Sequence, residues 1–183
     1  MSDPASVPAA VDGTAFRHLM GRWPTGVAVV TARSGDRDFG LTVNAFLSVS
    51  LAPPLLLISL THDADTTPVI VEQRAFAVHL LAHDQRAVSE RFAAMSEPEA
   101  KFAGLPFHRG ASGIPRLDGV LASLECRVER TIPVADHLLI VGAVTDLELG
   151  RDVGPLLFFR SHYADSPDGE RVVLPPPGSP KAP

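Results

Sequence analysis

The sequence predicts a mostly β domain, an antiparallel barrel or sandwich with short helices on its outside. Valine- and leucine-rich segments of strand length recur along the chain, about six or seven in number, each bounded by turn-forming residues. Helical periodicity is confined to short stretches. The 183 residues suffice for one well-filled core and are too few for two ordinary catalytic domains.

Composition narrows the classes. Hydrophobic residues make up 45% and charged residues 20% of the chain, the balance of a folding globular protein rather than a disordered one. Lys and Arg total 16 against 21 Asp and Glu, a net charge of -5, which argues against a protein that works by neutralising a nucleic-acid backbone. The single cysteine, Cys126, excludes an internal disulfide and a multi-thiolate metal site. With no basic segment followed by an apolar run at the N-terminus, the expected compartment is the cytoplasm. The apolar run at residues 51–60 is broken by Pro53 and Pro54 and falls short of the roughly 20 residues that span a bilayer, so no membrane is expected.

Residues 1–12 and 167–183 read as tails, the latter rich in proline, around one domain at 13–166. Thr14 is a candidate cap for a short helix whose Phe16, Leu19 and Met20 face inward. After the turn at Trp23 to Gly26, GVAVVTA (26–32) and FGLTVNAFLSVSL (39–51) form a hairpin about the turn SGDRD (34–38). PPLLLISL (53–60) lacks alternation and predicts a strand buried on both sides or against a partner subunit. Thr67 before Pro68 starts a short helix over 68–73, and FAVHLLA (76–82) returns to strand. Asp84 is the candidate cap of a helix over 85–94, with Val88, Phe92 and Met95 on its apolar side. Residues 104–119 read as a long surface loop. VLASLECRVERTI (120–132), in which Leu124, Cys126 and Val128 alternate with Glu125, Arg127 and Glu129, pairs with HLLIVGAVTDLEL (137–149), and PLLFFRSHY (155–163) is the last strand.

Phosphate-loop, dinucleotide-fingerprint and zinc-protease motifs are absent. His62, His79 and His83 fall on different elements, so no metal site is expected. Small polar residues at Thr42, Asn44, Ser48, Ser50 and Ser59 either hydrogen-bond a planar heterocycle or phosphate or are solvent-facing strand positions.

The order of these segments is more informative than any one of them. WPTGVAVVTA, GLTVNAFLSVSLAPPLLLISL, FAVHLLAHDQRAVSERFA, DHLLIVGAVTDLELG and PLLFFRSHY, between Phe16 and Tyr163, resemble the flavin reductase-like family. That resemblance implies an FMN-binding split β-barrel with short peripheral helices. It implies a homodimer and NAD(P)H:flavin oxidoreductase activity, NADH favoured, delivering reduced FAD or FMN to a separate flavin-dependent monooxygenase. The non-enzymatic alternative is a flavin-binding or electron-carrying protein.

The resemblance also assigns residues. Pro24, Thr25 and Gly26, with Thr42, Val43, Asn44 and Ala45, match segments that lie against the flavin ring and ribityl chain. Ser48 joins them as a nearby hydroxyl. Ser59, Leu60, Asp65, Thr66 and Thr67 match the phosphate region, where amides at a helix start would contact an anion. Ala45 stands where the family often has Ser, and His79 where it often has Asn. His137 looks like a position near the nicotinamide pocket, as a cofactor contact or positioning residue or as a structural histidine; His162 and Tyr163 border the same pocket. No catalytic acid or base is assigned.

Overall fold

Asp12, rather than Thr14, starts the first helix in the computed structural model, which describes residues 11–165. Its carboxylate accepts the Ala15 N–H at 2.8 Å, capping α1 (Gly13–Met20). The rest of the two expected tails lies outside the described residues. Phe16, Leu19 and Met20 do not face inward; Leu19 is 64% exposed. The opposite side of α1, carrying Thr14, Arg17 and His18, faces the body of the molecule near Arg160.

After β1 (Thr25–Gly26), Gly35 at φ +58° allows the tight turn that folds β2 (Ala28–Ser34) onto β3 (Arg37–Val43). The apolar pattern at 39–51 then conceals a break. The chain leaves the sheet at Asn44 and Ala45 and resumes as β4 (Phe46–Leu51), which pairs with β5 (Pro54–Thr61). β5 alternates, with Leu56, Ile58 and Leu60 buried and Leu55, Leu57 and Ser59 half-buried, so it is not enclosed on both sides.

α2 (Thr66–Gln73) begins before Thr67, whose hydroxyl donates to the Thr61 carbonyl at 2.8 Å instead of capping. β6 (Ala75–Leu80) follows, then α3 (Arg86–Ala93), which Gln85 precedes; Asp84 is taken by an ion pair with Arg151 at 2.8 Å. Phe92 of α3 is buried, whereas Met95 lies beyond the helix and is fully exposed.

The expected surface loop holds structure. After α4 (Pro98–Phe102), β7 (Phe107–Arg109) pairs with β8 (Pro115–Leu117), all three residues of which are buried. β9 (Ala122–Val134) and β10 (His137–Leu149) form the long central hairpin. The final apolar stretch is two strands, β11 (Leu156–Phe159) and β12 (His162–Asp165), joined at Arg160 and Ser161.

Seven strands make one sheet in the order β3-β2-β6-β9-β10-β5-β4, a split barrel beside which β1-β11-β12 form a second sheet. One core cluster, including Val30, Ile58, Ile70, Phe76, Val128 and Ile140, fills the barrel under α2. A second, including Val29, Leu81, Phe92, Phe102 and Leu156, joins α3, α4 and the small sheet to it. Each such side chain contributes roughly 1.5–3 kcal/mol by its burial.

Cys126 lies in the first cluster, where burial pushes its thiol up to about 12, with Glu125 acting in the same direction. Glu125 is itself a departure from the expected alternation: it is buried on the opposite side of β9. It accepts from Arg116 Nε at 2.9 Å and from the Ser112 N–H at 3.1 Å. Arg116, also buried, reaches Glu148 at 3.3 Å and Asp146 as well. Gly110 lies so close that a Cβ would stand 1.4 Å from Glu125 Oε1.

Gly110→Ala therefore displaces a buried carboxylate from its donors and should lower unfolding stability by about 3 kcal/mol. Urea denaturation checks this; an unchanged midpoint would show that the pair does not anchor the β7–β8 hairpin.

Candidate functional site

β3 is an edge strand of the large sheet, so its outer peptide groups have no strand partner, and α3 and α4 pack beside it. Between them runs a groove with two lobes that share Thr42 and Ala93. The larger, about 580 Å³, is lined by residues 39–42 of β3, by Thr61 to Thr66, and by the end of α3 through Lys101. The smaller, about 200 Å³, is bounded by Val27, Val43, Asn44, Ser89, Phe158 and Tyr163.

The smaller lobe has an aromatic wall. Phe158 and Tyr163 are directly paired across β11 and β12 and meet edge to face with centroids 5.5 Å apart. Ser89 and the Tyr163 hydroxyl are hydrogen-bonded at 2.9 Å, Thr42 Oγ1 donates to the Ser89 carbonyl at 2.6 Å, and the Arg86 guanidinium lies 5.3 Å from the Tyr163 ring centroid. Those bonds hold the ring upright. Thr25 pairs with Phe158 across β1 and β11, so its side chain shares that face. The Thr25 hydroxyl is buried without a hydrogen-bond partner among the described residues. An orphaned buried hydroxyl is costly, and a polar ligand edge would relieve it.

Among the described residues, the larger lobe holds one cation, Lys101, with the carboxylates Asp63, Asp65 and Glu97 also on its lining. Lys101 Nζ donates to the Gly40 and Phe92 carbonyls at 3.2 and 3.4 Å, leaving its third N–H for another acceptor. Burial holds its ammonium below the ordinary lysine range, with Asp65 opposing that effect. The start of α2, with Ala64, Asp65 and Thr66, lines the same lobe, so the positive end of that helix and Lys101 border one space. A flavin fits this donor set: an aromatic wall and free strand edge for a planar heterocycle, and a cation with a helix start for a phosphate.

The structure distributes the expected site residues unevenly. Thr42, Val43, Asn44, Asp65, Thr66 and Tyr163 line the groove, and Thr25 lies behind its aromatic wall. Pro24 and Gly26 are exposed beside it, and a Cβ on Gly26 would meet open space, so the fold itself does not demand glycine there. Ala45 is tied by its carbonyl to the Ser59 N–H at 3.1 Å, which places Ser59 at the crossover rather than in the groove. Thr67 is buried with its hydroxyl on Thr61, and Leu60 belongs to the core. Ser48 lines a separate apolar depression with Leu55 and Leu147.

The histidines separate similarly. His79 is wholly buried outside the groove, its ring nitrogens 2.9 Å from the hydroxyls of Thr31 and Ser123. Burial pushes it down to about 3, so it is neutral at ordinary pH. His137 stands opposite Thr61, a groove residue, and is hydrogen-bonded to Asp136 at 2.8 Å, which holds that carboxyl below its usual range. His162 is exposed and bonded to the Arg160 carbonyl at 2.7 Å, outside the groove. Sequence reasoning missed Lys101, Ser89, Arg86 and Phe158. Lys101 left a faint signal, being one of only two lysines in the chain.

Comparison with known proteins gives the family. A family model described as a flavin reductase like domain matches residues 20–167. The reductase component of 4-hydroxyphenylacetate 3-monooxygenase from Thermus thermophilus is 38% identical over 149 residues, covering 81% of this chain and 93% of the relative. A flavin reductase from Pseudomonas putida is 35% identical over 158 residues, covering 86% and 92%. Among solved structures, the NADH:FAD oxidoreductase of Streptomyces globisporus, in complex with NAD and FAD fragments, superposes with a TM-score of 0.82 at 32% identity. That match covers 87% of this chain and 96% of the other. The styrene monooxygenase flavin reductase of Pseudomonas putida gives a TM-score of 0.76 at 33% identity, over 83% and 97%.

Thr25→Val keeps the side-chain shape while removing the orphaned hydroxyl. It should stabilise the ligand-free protein by about 1 kcal/mol, read as a higher urea midpoint. A lower midpoint would mean that the hydroxyl has a partner in solution.

Proposed function

Because the chain belongs to the flavin reductase-like family, we propose that it is an NAD(P)H:flavin oxidoreductase, NADH favoured, that reduces FAD or FMN for a separate flavin-dependent monooxygenase. The observation that carries this reading is the single groove that joins an aromatic wall and an open strand edge to Lys101 and the start of α2. Its relatives, a monooxygenase reductase component and NADH-dependent flavin reductases among them, support it.

When bound, the flavin supplies the redox chemistry, accepting hydride from the reduced nicotinamide. The protein's task is to bind and orient. The edge of β3 from Thr42 to Asn44 offers peptide groups to the polar rim of the ring, and Phe158 and Tyr163 supply an apolar wall. Lys101 and the first turn of α2 would hold the phosphate, with Asp63, Asp65 and Glu97 lining the same lobe. The pairing of His137 with Thr61, a groove residue, supports reading it as a nicotinamide contact from the β10 side. Hydride transfer itself needs no general acid.

The proposal includes a homodimer. Leu47, Val49, Leu51, Leu147 and Leu149 are exposed on β4 and β10, and α1 exposes Phe16, Leu19 and Met20 with Trp23 just beyond it. Apolar area of that extent is unusual on a lone subunit. No helix among the described residues is long and apolar enough to cross a membrane, and a cytoplasmic enzyme, beside its nicotinamide supply, completes the reading.

Anaerobic stopped-flow absorbance with FAD and FMN against NADH and NADPH tests the activity. Flavin bleaching faster than the uncatalysed rate is expected. Lys101→Ala should raise the KM for FMN at least about tenfold while changing kcat little. Binding without bleaching would make the protein a flavin carrier instead.

Leu149→Glu, at a residue 84% exposed in the single subunit, should halve the mass measured by sedimentation equilibrium. A monomeric native protein would overturn the dimer.

A further inference from the structure

Helix α1 turns its polar side toward the protein. Phe16, Leu19, Met20 and Trp23, spaced i, i+3, i+4 and i+7, are exposed on one side. Thr14, Arg17, His18 and Gly21, with the same spacing, lie on the other and line a pocket of about 400 Å³ completed by Arg22, Arg160 and Ser161. No carboxylate lines it.

Three arginines thus share one depression in a chain of net charge -5. Arg33, Arg37, Arg86, Arg109, Arg116, Arg127 and Arg151 each pair with a carboxylate. Six of the described arginines form no ion pair with a carboxylate among the described residues; Arg74 and Arg91 donate to backbone carbonyls and Arg130 lies elsewhere on β9, whereas Arg17, Arg22 and Arg160 converge on this one pocket. Basic residues in the last turn of a helix do offset its negative end, and that accounts for Arg17 and His18. It does not account for Arg160, which comes from the β11–β12 turn. Arg160 and Ser161 have φ of +50° and +64°, a conformation for which such turns ordinarily use Asn or Gly. An arginine is held there against backbone preference. Its N–H donates to the Gly21 carbonyl at 2.8 Å, fixing the turn to the end of α1, and its guanidinium stacks 5.1 Å from the Phe159 ring centroid.

The same hairpin enters the groove. Phe158 and Tyr163, the aromatic wall, are two residues from the turn, roughly 7 Å along a strand. We propose that the arginine pocket is an anion subsite for the diphosphate bridge of an adenine dinucleotide whose ring end occupies the groove. Planar guanidiniums bind phosphate oxygens in pairs, and several converging on one pocket suit a diphosphate better than a carboxylate. NAD(P)H carries that bridge, whereas the flavin's own phosphate is already assigned to the Lys101 corner of the groove. The inference rests on the groove being a flavin and nicotinamide site, as argued above, but extends it to a separate cluster of residues.

The test uses the full-length chain. Arg160→Gly removes the guanidinium while supplying the residue that the turn geometry favours, so folding is preserved. Inorganic pyrophosphate, titrated calorimetrically into flavin-free protein at low salt, should bind the native chain. It should bind Arg160→Gly at least about tenfold more weakly, and Arg17→Ala likewise. In steady-state assays of Arg160→Gly, a loss of kcat/KM for FAD relative to FMN, with the KM for NADH unchanged, would overturn the assignment to the nicotinamide nucleotide. A rise in the KM for NADH with either flavin would identify the nicotinamide nucleotide's diphosphate as the occupant. Pyrophosphate binding that is absent from the native chain, or equal in native and variant proteins, overturns the proposal. A native protein that reduces no flavin overturns the functional reading instead, and the pyrophosphate titration still decides the pocket.

Discussion

The chain changes edges once, and the site depends on where. Between Val43 and Phe46 it passes from β3, at one border of the seven-stranded sheet, to β4, at the other. The hydrogen bond from the Ser59 N–H to the Ala45 carbonyl fixes that passage against β5. Because the chain departs there, β3 acquires no outer neighbour. An open strand edge is ordinarily a liability for aggregation, and this one is flanked by α3 and α4, which Phe92, Phe102 and Lys101 fasten to it. The groove is what remains between edge and cover.

The second sheet completes the site by a different route. Three short strands, two of them a hairpin, would be marginal alone. Val27, Leu156 and Phe158 pack them onto the cluster around Phe92. The hydrogen bonds from Thr42 to Ser89 and between Ser89 and Tyr163 then join edge strand, covering helix and small sheet. One rigid chain of contacts therefore sets the spacing between the peptide edge and the aromatic wall, as orientation of a planar ring requires.

The alternating β9–β10 hairpin and the turn at Gly35 were legible because period-two patterning and turn chemistry act locally. The break at Asn44 was not. Residues 39–51 carry one apolar pattern through a point where only tertiary pairing separates two strands. The inward side of α1 was misread because exposed Phe16 and Leu19 obey the same periodicity as buried residues would; sequence shows that a face is apolar, not what covers it. Glu125 and His79 were misread for a related reason. A buried carboxylate and a buried imidazole become reasonable only once Arg116, Thr31 and Ser123, distant in sequence, are brought to them. Within the groove, the family-matched β3 residues and Tyr163 were legible. Lys101 and Ser89 were not, because each matters only through a helix packed on an edge that the sequence did not reveal.

Cys126 bears on how such a protein ages. Reduced flavin that meets dioxygen before its acceptor yields hydrogen peroxide, and peroxide attacks thiolates rather than thiols. With its thiol pushed up to about 12 inside the core, Cys126 stays a thiol at neutral pH. The protein's one sulfhydryl is thus insulated from the oxidant that its own turnover would generate.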